Sequence, residues 1–150
     1  MNRREFSALL PLLAAAPVFN DAVPAVAQAK GAALQPLTSG EYPGTAPKGP
    51  TPTGRTAQHY LAGMLPHDIR LEAHTTTLEP GAGMEPIGTH KHSEMWFVRE
   101  GELGLMTKGV NRTLKPGEMG LCVAGDEHSV WNASKTERTS YFVVTVGPPE

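Results

Sequence analysis

The stretch GTHKHSEMWFVREGE, Gly88 to Glu102, carries two patterns at once. His90, His92 and Glu94 stand at every second position, so an extended chain presents all three on one face. From Glu94 the run EMWFVRE is apolar and rich in β-formers, and it ends at Gly101, a turn residue. The chain has six histidines in all, and two of them sit beside this carboxylate. A metal-binding strand explains that spacing. A polar strand end with a solvated face has the same spacing, so the rest of the chain must separate the two.

Outward from this strand, similar segments recur. DIRLEAHTTTLEPG ends at Pro80-Gly81, ELGLMTKG at Gly109 and VNRTLKPG at Pro116-Gly117; EMGLCVAGDE, HSVWNASKTE and RTSYFVVTVG follow. Short strands closed by glycine and proline turns predict an all-β sandwich or barrel over residues 55–150. The totals of 16 Gly and 14 Pro argue against long helices. No heptad run, phosphate loop or whole-unit repeat appears, which predicts one barrel. Lys plus Arg is 13 against 15 Asp plus Glu, a net charge of −2, so nothing points to nucleic acid as a partner. The single cysteine, Cys122, rules out an intramolecular disulfide. The barrel must be held by its core, with a metal or a partner subunit as the available supplements.

The N-terminus is read as an address. Arg3 and Arg4 precede Phe6, and an apolar run of 14 residues reaches Phe19, interrupted by Pro11 and Pro17. That is shorter than the ~20 residues of a membrane-spanning helix. Ala25-Val26-Ala27 and Ala27-Gln28-Ala29 supply small-x-small cleavage sites. NRREFSAL resembles a twin-arginine export signal, which implies export of a folded protein. Residues 1–29 are expected to be that signal, and no stable membrane anchor is expected after its removal. The expected location is the periplasm or the exterior of a bacterium. Residues 30–54, with five prolines and five glycines between 31 and 54, are expected to be a linker or a loosely held arm.

A metal site in a β-barrel draws ligands from strands distant in sequence, and His128 is the only histidine after His92. It belongs to Gly117-x5-Val123-x-Gly125-x2-His128-x3-Asn132. This resembles the second motif of the small single-domain cupins, with Val123 where proline is usual. Glu94-x6-Gly101 resembles the end of that family's first motif, whose usual form is G-x5-H-x-H-x3,4-E-x6-G. The resemblance covers roughly residues 70–146 and implies a single cupin jelly roll (RmlC-like, a double-stranded β-helix). It also implies a divalent transition metal in the barrel, with Fe, Mn, Ni, Cu and Zn all suited to imidazole and carboxylate ligands.

The first motif departs from the family. Counting back from Glu94, the second histidine falls on His90 and the first on Gly88, with His92 between motif positions. In one arrangement His90, Glu94 and His128 hold the metal. In the other the strand is shifted, and His90, His92, Glu94 and His128 form a three-histidine, one-glutamate set. The loss of a ligand at Gly88 also admits an empty site.

Cys122 is expected in the core, as are Met95, Met106 and Met119. Trp96, Phe97, Tyr141 and Phe142 are expected in the core or on a dimer surface, and Asn132 is expected to hold a turn. Trp131 is placed either in the structure or at the cavity mouth. His74 lies in a strand, its side open; His59 and His67 are expected in solvent. The resemblance implies action on a small molecule, as a metal-dependent dioxygenase first and an isomerase second. The alternative is a non-catalytic module that binds a small ligand or a metal. A homodimer is expected, because MWFVRE and YFVVTV offer more apolar surface than one small barrel buries.

Overall fold

The computed structural model describes residues 34–149. The export signal read at 1–29 and the first residues of the Pro/Gly-rich stretch lie outside them. Among the described residues the regular structure is entirely β. No helix there is long and apolar enough to cross a membrane.

Eight strands follow in order: β1 Arg55–Leu65, β2 Ile69–Leu78, β3 Ser93–Glu100, β4 Leu103–Thr107, β5 Val110–Leu114, β6 Met119–Cys122, β7 His128–Asn132 and β8 Thr139–Gly147. They form a five-stranded sheet, β1-β2-β8-β3-β6, and a three-stranded sheet, β5-β4-β7, with every strand pair antiparallel. This is the jelly roll that the family resemblance implies, built from the short strands that the turn spacing predicts. The β1–β2 hairpin closes through His67 and Asp68, both left-handed at φ 66° and 55°. Asp and His are among the non-glycine residues enriched in that region.

Alternation decides what lies between the sheets. In β3, Trp96 and Val98 are buried and Phe97 is exposed. Tyr141 and Val143 of β8 face inward beside them and meet Leu103 and Leu105 of β4 and Val130 of β7. Each such side chain contributes roughly 1.5–3 kcal/mol by leaving water. Cys122 is a buried free thiol in the same cluster. Burial, then the charges of Asp126 and Glu94, push its pKa up, so it stays protonated and unreactive. Met106 is buried as expected. Met119 is not: it lies on the outer face of the edge strand β6, about half exposed, opposite Phe97.

The Pro/Gly-rich stretch lies along the outer edge of β1. Leu37 N donates to Met64 O at 2.7 Å, Met64 N to Gln35 O at 2.8 Å, and Thr45 N to His59 O at 2.8 Å. Lys48 and Ala57 exchange backbone bonds of 2.8 and 2.9 Å. The arm thereby covers backbone groups that an edge strand otherwise leaves open. Gly63 permits the close approach, since a Cβ there would run into the Gln35 carbonyl and the Leu37 side chain.

Candidate metal centre

Two backbone contacts lace the motif regions together. Gly88 and His128 exchange hydrogen bonds of 3.0 Å in each direction, and Gly125 N donates to His90 O at 2.8 Å. His128 opens β7 and Glu94 lies at the start of β3, so the two sheets bring these side chains to the same end of the barrel. His90, in the loop before β3, completes the set. The ligand atoms of His90, Glu94 and His128 all lie within 4.8 Å of one another.

Glu94 is the hub. His128 Nε2 is 3.3 Å from its Oε2, and His92 Nε2 is 3.2 Å from its Oε1. The His90 ring stacks on His92, centroids 4.6 Å apart and planes 10° apart, and tilts toward His128 at 5.2 Å. Three of the four residues singled out from the sequence thus share one point. His92, buried, lies against the far oxygen of the glutamate.

The electrostatics are those of a coupled pair. Burial opposes ionisation of Glu94, but hydrogen bonds from His128 and His92 and the charges of His128 and His90 outweigh it. The carboxyl is held below its ordinary range. The bond to Glu94 raises the pKa of His128 against desolvation, with help from the Glu94 charge and the Asp126 carbonyl.

Gly88 faces this site. It is paired with His128, and a Cβ built on it would lie 3.4 Å from His90 Nε2. The position at which the family resemblance expects a histidine therefore points at His90 and carries glycine. Asn132, the last motif residue, holds the framework as expected. Its Nδ2 donates to Leu78 O, Glu79 O and Glu137 O at 3.3, 2.9 and 2.8 Å, while Oδ1 accepts from Ser134 N and Thr139 Oγ1.

His90, Glu94 and His128 open onto a cavity of about 120 Å³, walled by Trp96, Val130, Val143 and His74. The cavity's remaining wall is Arg55 paired with Glu85. A larger hollow of about 470 Å³ lies on the other side of that ion pair, between residues 52–55 and 78–86. No histidine or cysteine lines it. Trp131 lies outside the cavity wall and covers Gly104, where a Cβ would collide with its ring.

Two residues escaped the sequence reading. His59, expected in solvent, is half-buried on β1 beside Glu72 and His74 of β2, and these three form a second group of potential ligands. Desolvation, then the charge of His74, lowers the pKa of His59. The nearby His74 imidazole is the largest influence on Glu72; with Arg70 it outweighs burial and brings the carboxyl to about 2. The spacing Glu72-x-His74 was a signal of the same kind as His92-x-Glu94.

Comparison with known proteins agrees with the architecture. Residues 74–145 match the family model described as "Cupin domain". Among solved structures, an RmlC-like cupin from Shewanella frigidimarina superposes with a TM-score of 0.58 at 21% identity, over 71% of this chain and 86% of its own. KdgF from a Halomonas species gives 0.60 at 16% identity, over 75% and 97%. A predicted oxalate decarboxylase from Thermotoga maritima gives 0.50 at 18%, over 61% and 79%. At these identities the likeness concerns the fold, and it supports a cupin domain. No curated protein sequence is similar to the chain.

Proposed function

We propose that the barrel holds a divalent transition metal through His90, Glu94 and His128 and acts on a small molecule, with an oxygen-dependent reaction as the first reading. The convergence of those three side chains on one cavity of the barrel carries this. Two imidazoles and one carboxylate are the donor set of non-haem iron sites with open coordination positions, and Mn, Ni, Cu and Zn are also accommodated. The donors fit the ion: Glu94 is kept ionised, His128 Nε2 already lies against it, and no side chain at Gly88 crowds the remaining positions.

The bound ion would supply Lewis acidity and, if iron, oxygen chemistry. The chain does the rest. His92 fixes the glutamate from behind, as groups around metal ligands commonly do. Trp96, Val130 and Val143 exclude water, and the Arg55–Glu85 pair separates the cavity from the outer hollow. A space of about 120 Å³ is well below the ~300–1,000 Å³ of sites for drug-sized ligands, so the substrate is small.

The test is to load the protein anaerobically with Fe(II) and add nitric oxide as a stand-in for dioxygen. A high-spin iron–nitrosyl EPR signal, lost in His128→Ala, is expected. Iron that binds without giving that signal would leave the non-catalytic binding module as the better reading.

Two further expectations accompany this reading. We propose a homodimer through the outer face of β3 and β6, where Phe97, Met119 and Leu121 are exposed together at an open sheet edge. Light scattering should show twice the chain mass, and a monomer at micromolar concentration would refute it. We also propose twin-arginine export to the periplasm or beyond, supported by Arg3-Arg4-x-Phe6. Lysine at both arginine positions should strand the precursor in the cytoplasm; normal export would remove the reading.

A further inference from the structure

The β1–β2 ladder contains an irregularity that aims a histidine. From Leu65↔Ile69 to Leu61↔Ala73 the register is regular; then it slips, so that His59 pairs with His74. Without the extra residue, Tyr60, His59 would stand opposite Thr75 and face the other side of the sheet. The bulge turns His59 to the inner face, where it meets His74 directly and Glu72 diagonally.

We propose that His59, Glu72 and His74 form a second binding site for a divalent cation of the zinc type. Both histidines direct Nδ1 at the same oxygen: His59 Nδ1 is 3.9 Å and His74 Nδ1 is 3.6 Å from Glu72 Oε1. These separations are too long for hydrogen bonds. They are close to the ~3.4 Å between ligands of a tetrahedral ion with bonds of about 2.0–2.1 Å. His74 Nδ1 is buried with no hydrogen-bond partner, which an ion would correct. The other oxygen of Glu72 is held by Arg70 Nη2 at 2.7 Å, so the carboxylate is already oriented.

The ring centroids of His59 and His74 are 5.2 Å apart, leaving room for an ion between them and the carboxylate. Two histidines and a glutamate suit Zn²⁺ with one position open. Arg70 shares the carboxylate charge, so this site binds more weakly than the His90–Glu94–His128 set. A bound ion would tie the outer strand β1 to β2 at its bulge. It would also fix His74, whose ring walls the neighbouring cavity.

The inference does not depend on what the first site does. Zn²⁺ titration of the full chain, followed by calorimetry and elemental analysis, tests it. Wild type should take up two equivalents. His59→Ala should take up one and keep the tighter, and His128→Ala should also take up one. The double variant should take up none. His59→Gln, which preserves polarity at the bulge, should match His59→Ala if the missing ligand and not misfolding is the cause. His67→Ala should retain both equivalents. A wild type that binds one equivalent, unchanged by His59→Ala, would overturn the second site. So would a His59→Ala protein that still binds two.

Discussion

Replacing His92 by alanine separates the two ligand arrangements that the sequence leaves open. In the structure His92 lies 3.2 Å from Glu94 and stacks on His90, and its side chain is 4% exposed. Its loss removes one hydrogen bond to a carboxylate and the ring stacked on His90. If His92 positions the ligand, metal affinity should fall by about 10–100-fold, the usual cost of an outer partner. That corresponds to about 1.4–2.8 kcal/mol. His90→Ala removes a ligand and should reduce uptake to background. Competition against a chromophoric chelator, with Zn²⁺ as the probe and circular dichroism as a fold control, measures both. His92→Gln can still donate to Glu94 and should recover part of the loss. If His92→Ala loses the metal as completely as His90→Ala, His92 is itself a ligand. If it binds within twofold of wild type, the positioning role is wrong.

Four more outcomes follow from the same geometry. Gly88→His should tighten metal binding by restoring a fourth donor at a position whose Cβ falls 3.4 Å from His90 Nε2; weaker binding in a folded variant would show that the space is needed by the fold. Metal affinity should climb with pH through the raised pKa of His128, above its ordinary 6.5, because the ligand must shed its proton. In the metal-free protein the His128 contribution to stability is full below 6.5 and fades as pH rises through the raised value; that of Glu94 is full above 4.5 and fades as pH falls through its lowered value. His59, with its lowered pKa, acts in the opposite sense, so a metal-free melting temperature that rises from pH 6.5 to about 8 in His59→Ala would contradict this. Asn132→Ala should cost about 2–4 kcal/mol in denaturant unfolding, since it strands several buried partners, and a loss under about 1 kcal/mol would show that water replaces it.

The strands after Ile69 were legible because their signals are local. Trp96 and Val98 alternate with Phe97 within one segment, and turns at Gly81, Gly101, Gly109 and Gly117 use positive φ. His128 was legible from fixed spacing to Gly117, Gly125 and Asn132. The arm along β1 was not, because main-chain hydrogen bonds hold it and leave no side-chain period to read. β1 itself was obscured by the bulge between His59 and Leu61, which breaks the alternation midway. That break also hid His59, whose face follows from the register with β2 and not from its neighbours. The relation of His92 to Glu94 escaped parity, since His92 precedes β3 and only Glu94 is within the strand.

The most direct test of the central proposal is metal content. Protein made in the cytoplasm, purified without chelator and analysed for Mn, Fe, Ni, Cu and Zn, should carry one of them tightly. His128→Ala, which removes the only ligand from the second motif, should lose that tight equivalent while remaining folded. Wild-type protein that takes up none of these metals, even when each is supplied in excess, would contradict the account.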